Sequence, residues 1–121
     1  MKKLLLLIED NPLLTGMYQA AFEKAGFEIL LAHEGGAGIR LVKEKKPDAV
    51  ILDLLMPGID GFAVLAAIKA DEATKMIKAI VLTSVTNPDE LKRARDLGAL
   101  DCLVKSDLKL AEIVEKVRLV V

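Results

Sequence analysis

Five short apolar runs, each followed by a segment with helical spacing, constrain what this chain can fold into more than any other feature. The runs are Leu4 to Ile8, Glu28 to Ala32, Ala49 to Leu54, Ala79 to Thr83 and Cys102 to Val104. Several are unbroken rather than alternating, the pattern of parallel strands covered on both faces. Strands that alternate with helices predict an α/β, doubly wound, five-stranded parallel sheet with right-handed crossovers.

The segments between the runs carry their own boundary signals. The first helix has Asn11 as N-cap and Pro12 in its first turn, a stripe of Leu14, Met17, Tyr18, Ala21 and Phe22, and an end near Gly26. A second is expected over about 36–46, carrying Ile39, Leu41 and Val42 and stopping before Pro47. Gly35-Gly36-Ala37-Gly38 is read as a loop that lacks the spacing of a dinucleotide-binding turn. The third follows Asp60 as cap and buries Phe62, Leu65, Ala66 and Ile68. At the fourth, Asn87-Pro88-Asp89-Glu90 puts an acid three residues after the cap, as a capping box requires. A fifth, from about Asp107, turns Leu110, Ile113, Val114 and Val117 inward and Glu112, Glu115, Lys116 and Arg118 outward.

A length of 121 residues suits one domain spanning 1–121. Its 17 basic and 18 acidic residues nearly cancel, so bulk charge gives nucleic-acid binding no support. The single cysteine, Cys102, allows no internal disulfide and has no cluster of zinc-binding neighbours. The apolar run Leu4 to Ile8 meets Glu9-Asp10 after five residues, too short for a signal peptide, and nothing approaches the ~20 apolar residues of a membrane span. A cytoplasmic protein that neither crosses nor binds a membrane is expected.

In open parallel sheets, ligands gather beyond the carboxyl ends of the strands. Glu9-Asp10 closes the first run, Asp53 interrupts the third, Thr83-Ser84 closes the fourth and Lys105 follows the fifth. A carboxylate at a strand end is ordinarily a loop or cap residue, so neither Glu9 nor Asp10 is telling alone. Asp53 differs, because one acid inside an apolar run is a costly charge that needs compensation. Lys105 and a divalent cation are the natural partners. Hard oxygen ligands without histidine or cysteine point to Mg²⁺. Such a set suits phosphoryl transfer. Asp53 would act as nucleophile, Lys105 and the metal would neutralise the peripheral oxygens, and Thr83 would hydrogen-bond to one of them.

On these residues the chain resembles the receiver domain of two-component response regulators. The matching stretches are Ile8-Glu9-Asp10-Asn11, Asp53-Leu54-Leu55-Met56-Pro57-Gly58-Ile59-Asp60-Gly61, Val81-Leu82-Thr83-Ser84 and Gly98 to Lys105. The resemblance implies a flavodoxin-like (βα)5 fold with strand order 2-1-3-4-5. It implies phosphorylation of Asp53 by a sensor histidine kinase or histidine phosphotransfer protein. The Mg²⁺ ligands would be Glu9, Asp10, Asp53 and the backbone carbonyl of Leu55, with Thr83, Ser84 and Lys105 at the phosphate. Thr83 would then move toward the phosphate and reshape the surface of the fourth helix, fifth strand and fifth helix, which an unidentified downstream protein would read. Such a module transfers phosphate to itself and is no enzyme with an independent substrate. In relatives the exposed face of the first helix, here near Thr15 and Gln19, helps dock the histidine-bearing helix.

Two positions depart from the family pattern. Cys102 stands where an aromatic ring is common, and is expected to pack as a small hydrophobe. Ser106 replaces the usual proline after Lys105, so a trans bond is expected there. Leu55 and Val85 occupy sites that in relatives influence the attacking water, and two apolar side chains predict a long-lived aspartyl phosphate. Leu55 also argues against a phosphohydrolase of the aspartyl-phosphate type, which needs a second acid two residues after its nucleophile. A degenerate receiver serving only as an interaction platform is the alternative that Cys102 and Ser106 raise. His33 is expected to be a solvated loop residue.

Overall fold

The computed structural model describes residues 2–121. In chain order it contains β1 (Leu4–Ile8), α1 (Pro12–Lys24), β2 (Glu28–Ala32), α2 (Gly35–Lys45), β3 (Ala49–Leu52), α3 (Gly61–Ala70), β4 (Lys78–Thr83), α4 (Pro88–Asp96), β5 (Asp101–Val104) and α5 (Leu110–Val120). All four strand pairings are parallel and the order is β2-β1-β3-β4-β5, as expected. The unbroken runs divide their side chains between two layers. Leu5, Leu7, Ala49 and Ile51 join Phe22 of α1 and Ile113 and Val117 of α5 on one face, while Leu6, Ile8, Val50 and Leu52 join α2, α3 and α4 on the other. Both faces are therefore dry, which is why alternation is missing from the sequence.

Local details differ from the sequence expectations, each for a visible reason. β3 stops at Leu52 rather than Leu54. The Asp53 carboxylate accepts the Leu55 N–H at 3.2 Å, an Asx-type turn that bends the chain off the sheet. The glycines after β2 do not form a loop: Gly35 begins α2, with Glu34 capping the N–H of Ala37. They are present for packing, since a Cβ on Gly38 would overlap the Ile8 side chain and one on Gly35 would press on Ile59.

In α1 the buried side is Thr15, Tyr18 and Phe22, whereas Met17 is exposed. The apolar stripe is offset because Thr15 satisfies its hydroxyl locally, donating to the Pro12 carbonyl at 2.9 Å, and so can face inward. Thr15 accordingly offers no docking surface. In α3 Val64 is buried in place of Ala66, which faces solvent. Asn87 caps α4 by accepting from Asp89 and Glu90 N–H, while the acid-to-cap return bond appears instead at α5, where the Lys109 N–H donates to Glu112 at 2.9 Å. α5 begins at Leu110, not Asp107, because Lys105–Asp107 forms a 3₁₀ turn and Leu108 is extended.

Candidate functional site

The strand register brings the polar residues to one rim. Ile8 pairs with Leu52 and Thr83 with Val104, so Glu9, Asp53 and Lys105 each stand one residue past a paired strand end. The Asp53 N–H still donates to the Ile8 carbonyl at 3.1 Å and the Glu9 N–H to Ala32 at 3.0 Å, which ties both acids to the sheet. β1 lies between β2 and β3 while the chain continues outward on both sides, so this rim is where the strand order reverses.

Lys105 joins the two buried acids. Its ammonium donates to Glu9 at 2.6 Å and to Asp53 at 3.0 Å. The second oxygen of Glu9 accepts the Asn11 N–H at 3.1 Å. Carboxylate oxygens of Glu9, Asp10 and Asp53 all lie within 4.8 Å of one another, with Glu9 and Asp53 buried and Asp10 exposed. Three acids against one ammonium leave an excess of negative charge in a small, partly dry space. Burial pushes the Glu9 carboxyl above its ordinary range, and the Lys105 hydrogen bond and the Asn11 N–H only partly oppose this. Burial acts on Lys105 toward a lower value, but Glu9 and Asp53 outweigh it and hold the ammonium protonated. An all-oxygen donor set with surplus negative charge fits a hard divalent cation such as Mg²⁺.

Thr83 is fully buried beside this cluster, and its hydroxyl accepts the Val85 N–H at 3.2 Å. Ser84, Leu55 and His33 are exposed. Among the described residues no peptide bond is cis, so Lys105–Ser106 is trans as expected. Cys102 does not reach the acidic cluster; it is half-buried at β5, with Sγ 3.7 Å from the Leu91 carbonyl of α4. Tyr18 packs in the core as expected, where burial pushes its phenol up. One contributor escaped the sequence reading. Gly61 packs so closely on the backbone of Asp53 and Leu54 that a Cβ would collide with both. Its place directly after the cap Asp60 gave no sign of this contact.

Over residues 5–118 the sequence matches the family described as the response regulator receiver domain. The chain belongs to that family. Among curated relatives, the protein PilH of Pseudomonas aeruginosa is 35% identical over 103 residues, covering 84% of each chain. The chain also matches DNA-binding regulators, of which it spans about half the length or less, 42% and 50% in two cases. Among solved structures, the chemotaxis protein CheY4 of Vibrio cholerae superposes with a TM-score of 0.92 over 100% of both chains; at 22% identity this likeness concerns the fold. The receiver domain of the sensor histidine kinase PA1611 of Pseudomonas aeruginosa, solved with a magnesium ion in its active-site cleft, is 25% identical with a TM-score of 0.87, covering 98% and 96% of the two chains.

Within this receiver, burial also pushes the Cys102 thiol up, more than Arg95 lowers it. A raised thiol keeps its proton to higher pH, so less nucleophilic thiolate exists at neutrality. Alkylation of Cys102 by iodoacetamide at neutral pH is expected to be at least about tenfold slower in the folded than in the denatured protein, and to accelerate with rising pH. Equal rates in the two states, read by mass spectrometry, would contradict this packing. Among the described residues no helix is long and apolar enough to cross a membrane.

Proposed function

We propose that this receiver accepts a phosphoryl group on Asp53 from a phosphohistidine of a sensor histidine kinase or histidine phosphotransfer protein, and that the resulting charge alters a surface read by another protein. The observation that carries this is the join between the buried Asp53 carboxylate and Lys105 at 3.0 Å, within a cluster of three convergent acids. An Asp53 oxygen would form the new bond to phosphorus as the bond from phosphorus to the histidine nitrogen breaks, and the departing imidazole would keep the electron pair and take a proton from solvent. Lys105 would hold one peripheral phosphoryl oxygen by a charge-assisted hydrogen bond. The Thr83 hydroxyl, now accepting from Val85, would turn to donate to another, and Ser84 borders the same rim.

Glu9, Asp10, Asp53 and the Leu55 carbonyl would hold Mg²⁺, whose charge would offset that of the incoming phosphoryl oxygens. The magnesium ion in the cleft of the PA1611 receiver supports this assignment by analogy. Leu13 and Met17, one turn apart on α1, and Leu55 and Ile59 in the loop after β3 expose apolar surface in segments that adjoin the acids. That surface suits docking of an amphipathic histidine-bearing helix. Because nucleophile, acids, hydroxyl and lysine are all present, a purely structural receiver is not favoured. Incubation with Mg²⁺ and acetyl phosphate should add the mass of one phosphoryl group, and EDTA should prevent it. An unchanged mass with every small-molecule donor would reject the proposal.

The two apolar sites near Asp53 lead to an expectation about lifetime. Val85 is buried and Leu55 is an aliphatic side chain, so neither can orient a water by hydrogen bonding. The aspartyl phosphate should decay slowly, and Leu55→Asn should shorten its half-life several-fold, as followed by loss of the phosphoryl mass. A wild-type half-life of seconds, unaffected by substitutions at Leu55 or Val85, would contradict it.

A further inference from the structure

α4 is the helix with the thinnest apolar anchor. Of its 9 residues only Ala94 is buried, while α3 buries five residues, from Gly61 to Ile68. Leu91 and the following Leu97 are partly buried, and apart from the exposed Pro88 the rest of the helix is charged and exposed. In a helix held so lightly, one specific side-chain contact can set its position. Besides the Cys102 Sγ at the Leu91 carbonyl, such a contact is made by Arg93, whose guanidinium lies 4.2 Å from the centre of the Phe62 ring. A guanidinium over a ring face is held by the ring's quadrupole and by flat stacking, so the contact is directional as well as attractive.

Phe62 is itself connected to Asp53 without slack. It is buried and occupies the second position of α3. Gly61, immediately before it, donates to the Leu54 carbonyl at 3.1 Å and leaves no room for even a methyl group against the Asp53 carbonyl. A shift of the Asp53 backbone must therefore be passed to Gly61 and to the ring that follows. Between this loop and α4 lies an open groove of about 590 Å³, lined by Leu54, Met56, Phe62, Glu90 and Arg93. The groove gives α4 space to move relative to the loop, and the Arg93 stack is the cation–π contact that spans it.

We propose that the Phe62–Arg93 stack is the link by which the acceptor loop positions α4, so that phosphorylation of Asp53 is felt at the helix through the making or breaking of this stack. The inference rests on Asp53 being the phosphoacceptor, as proposed above. Arg93 and Phe62 act on α4 and take no part in the transfer, so substitutions there should leave phosphoryl uptake intact while uncoupling it from the helix. A local charge change that biases a two-state element requires a differential contact between the states, and this stack supplies one.

Hydrogen exchange of the full chain, with and without phosphorylation by phosphoramidate and Mg²⁺, tests the link. Arg93→Gln and Phe62→Leu should both gain the phosphoryl mass. Their 88–96 segment should exchange several-fold faster than wild type before phosphorylation, and should lose most of the phosphorylation-dependent change seen in wild type. Arg95→Gln removes the same charge from an exposed position of the same helix and should behave as wild type. A phosphorylation-dependent change in the 88–96 segment that survives in both variants would overturn the proposal. If the wild type gains no mass, the functional reading fails. The contact is then judged on the unphosphorylated proteins, where equal exchange in Arg93→Gln and Arg95→Gln would overturn it as well.

Discussion

Asp53→Asn is expected to abolish phosphoryl uptake, lowering the rate of labelling by acetyl phosphate by at least about two orders of magnitude. The amide keeps the size of the carboxylate and can still approach Lys105 through its oxygen. It has lost the charge and the nucleophilicity that attack on phosphorus requires. The fold should not suffer. Three carboxylates with oxygens within 4.8 Å of one another face one ammonium, so removing one negative charge relieves repulsion. In metal-free buffer the thermal midpoint of the variant should therefore equal or exceed that of wild type. Labelling that persists in the folded variant would transfer the acceptor role to another residue and sink the assignment. The thermal midpoint serves to separate this from simple unfolding.

Gly61→Ala should be strongly destabilising, although it replaces a poor helix former with the best one. At a free position in a helix the exchange stabilises by roughly 0.5–1 kcal/mol. At Gly61 the new methyl would meet the Asp53 carbonyl oxygen and the Leu54 Cα, both backbone atoms that no rotamer change can move away. Relief requires the loop to separate from the helix start, which stretches the bond from the Gly61 N–H to Leu54. Overpacking of this kind costs about 1–3 kcal/mol or more, so the clash outweighs the propensity gain and the midpoint should fall by roughly 10 °C. Because the displaced atoms belong to Asp53 itself, labelling should also slow by about an order of magnitude. Gly16→Ala is the matched control. Gly16 lies within α1 with nothing near its missing Cβ, and the substitution there should raise the midpoint. A stable Gly61→Ala protein that labels at the wild-type rate would show that the loop yields more readily than its contacts indicate.

These outcomes bear on how a phosphate could be reported to the surface. Cys102 lies half-buried at β5 against the Leu91 carbonyl, so the strand that underlies α4 offers a small, soft side chain rather than a ring. On α4's other flank, Arg93 reaches across the groove to the ring of Phe62. The connection from Asp53 to α3 is closely packed, whereas α4 buries only Ala94.

Much of the architecture was legible from local chemistry. Unbroken apolar runs such as Ala49-Val50-Ile51-Leu52 suit strands buried on both faces, and in the Asn11-Pro12 and Asn87-Pro88 pairs a capping side chain precedes a proline suited to the first helical position. The acidic rim followed, because residues that close parallel strands share one edge of the sheet. Errors arose where a side chain's setting depends on atoms far away in sequence. Gly35 and Gly38 read as loop residues because their reason for being glycine, the side chains of Ile59 and Ile8, is supplied by other elements. Thr15 and Met17 exchanged their expected places because a hydroxyl satisfied at Pro12 no longer resists burial.

The sequence by itself determined the βα alternation and the family, and it singled out Glu9, Asp10, Asp53, Thr83 and Lys105 as the candidate set, since each depends on residue type and order. Only the tertiary structure decided that Lys105 binds Glu9 as well as Asp53, that Gly61 seats α3 on the Asp53 backbone, and that Arg93 rests on Phe62. The physical reason is range. Periodicity and capping act within a few residues, whereas ion pairs, close backbone packing and cation–π contacts depend on distances between segments that folding alone brings together.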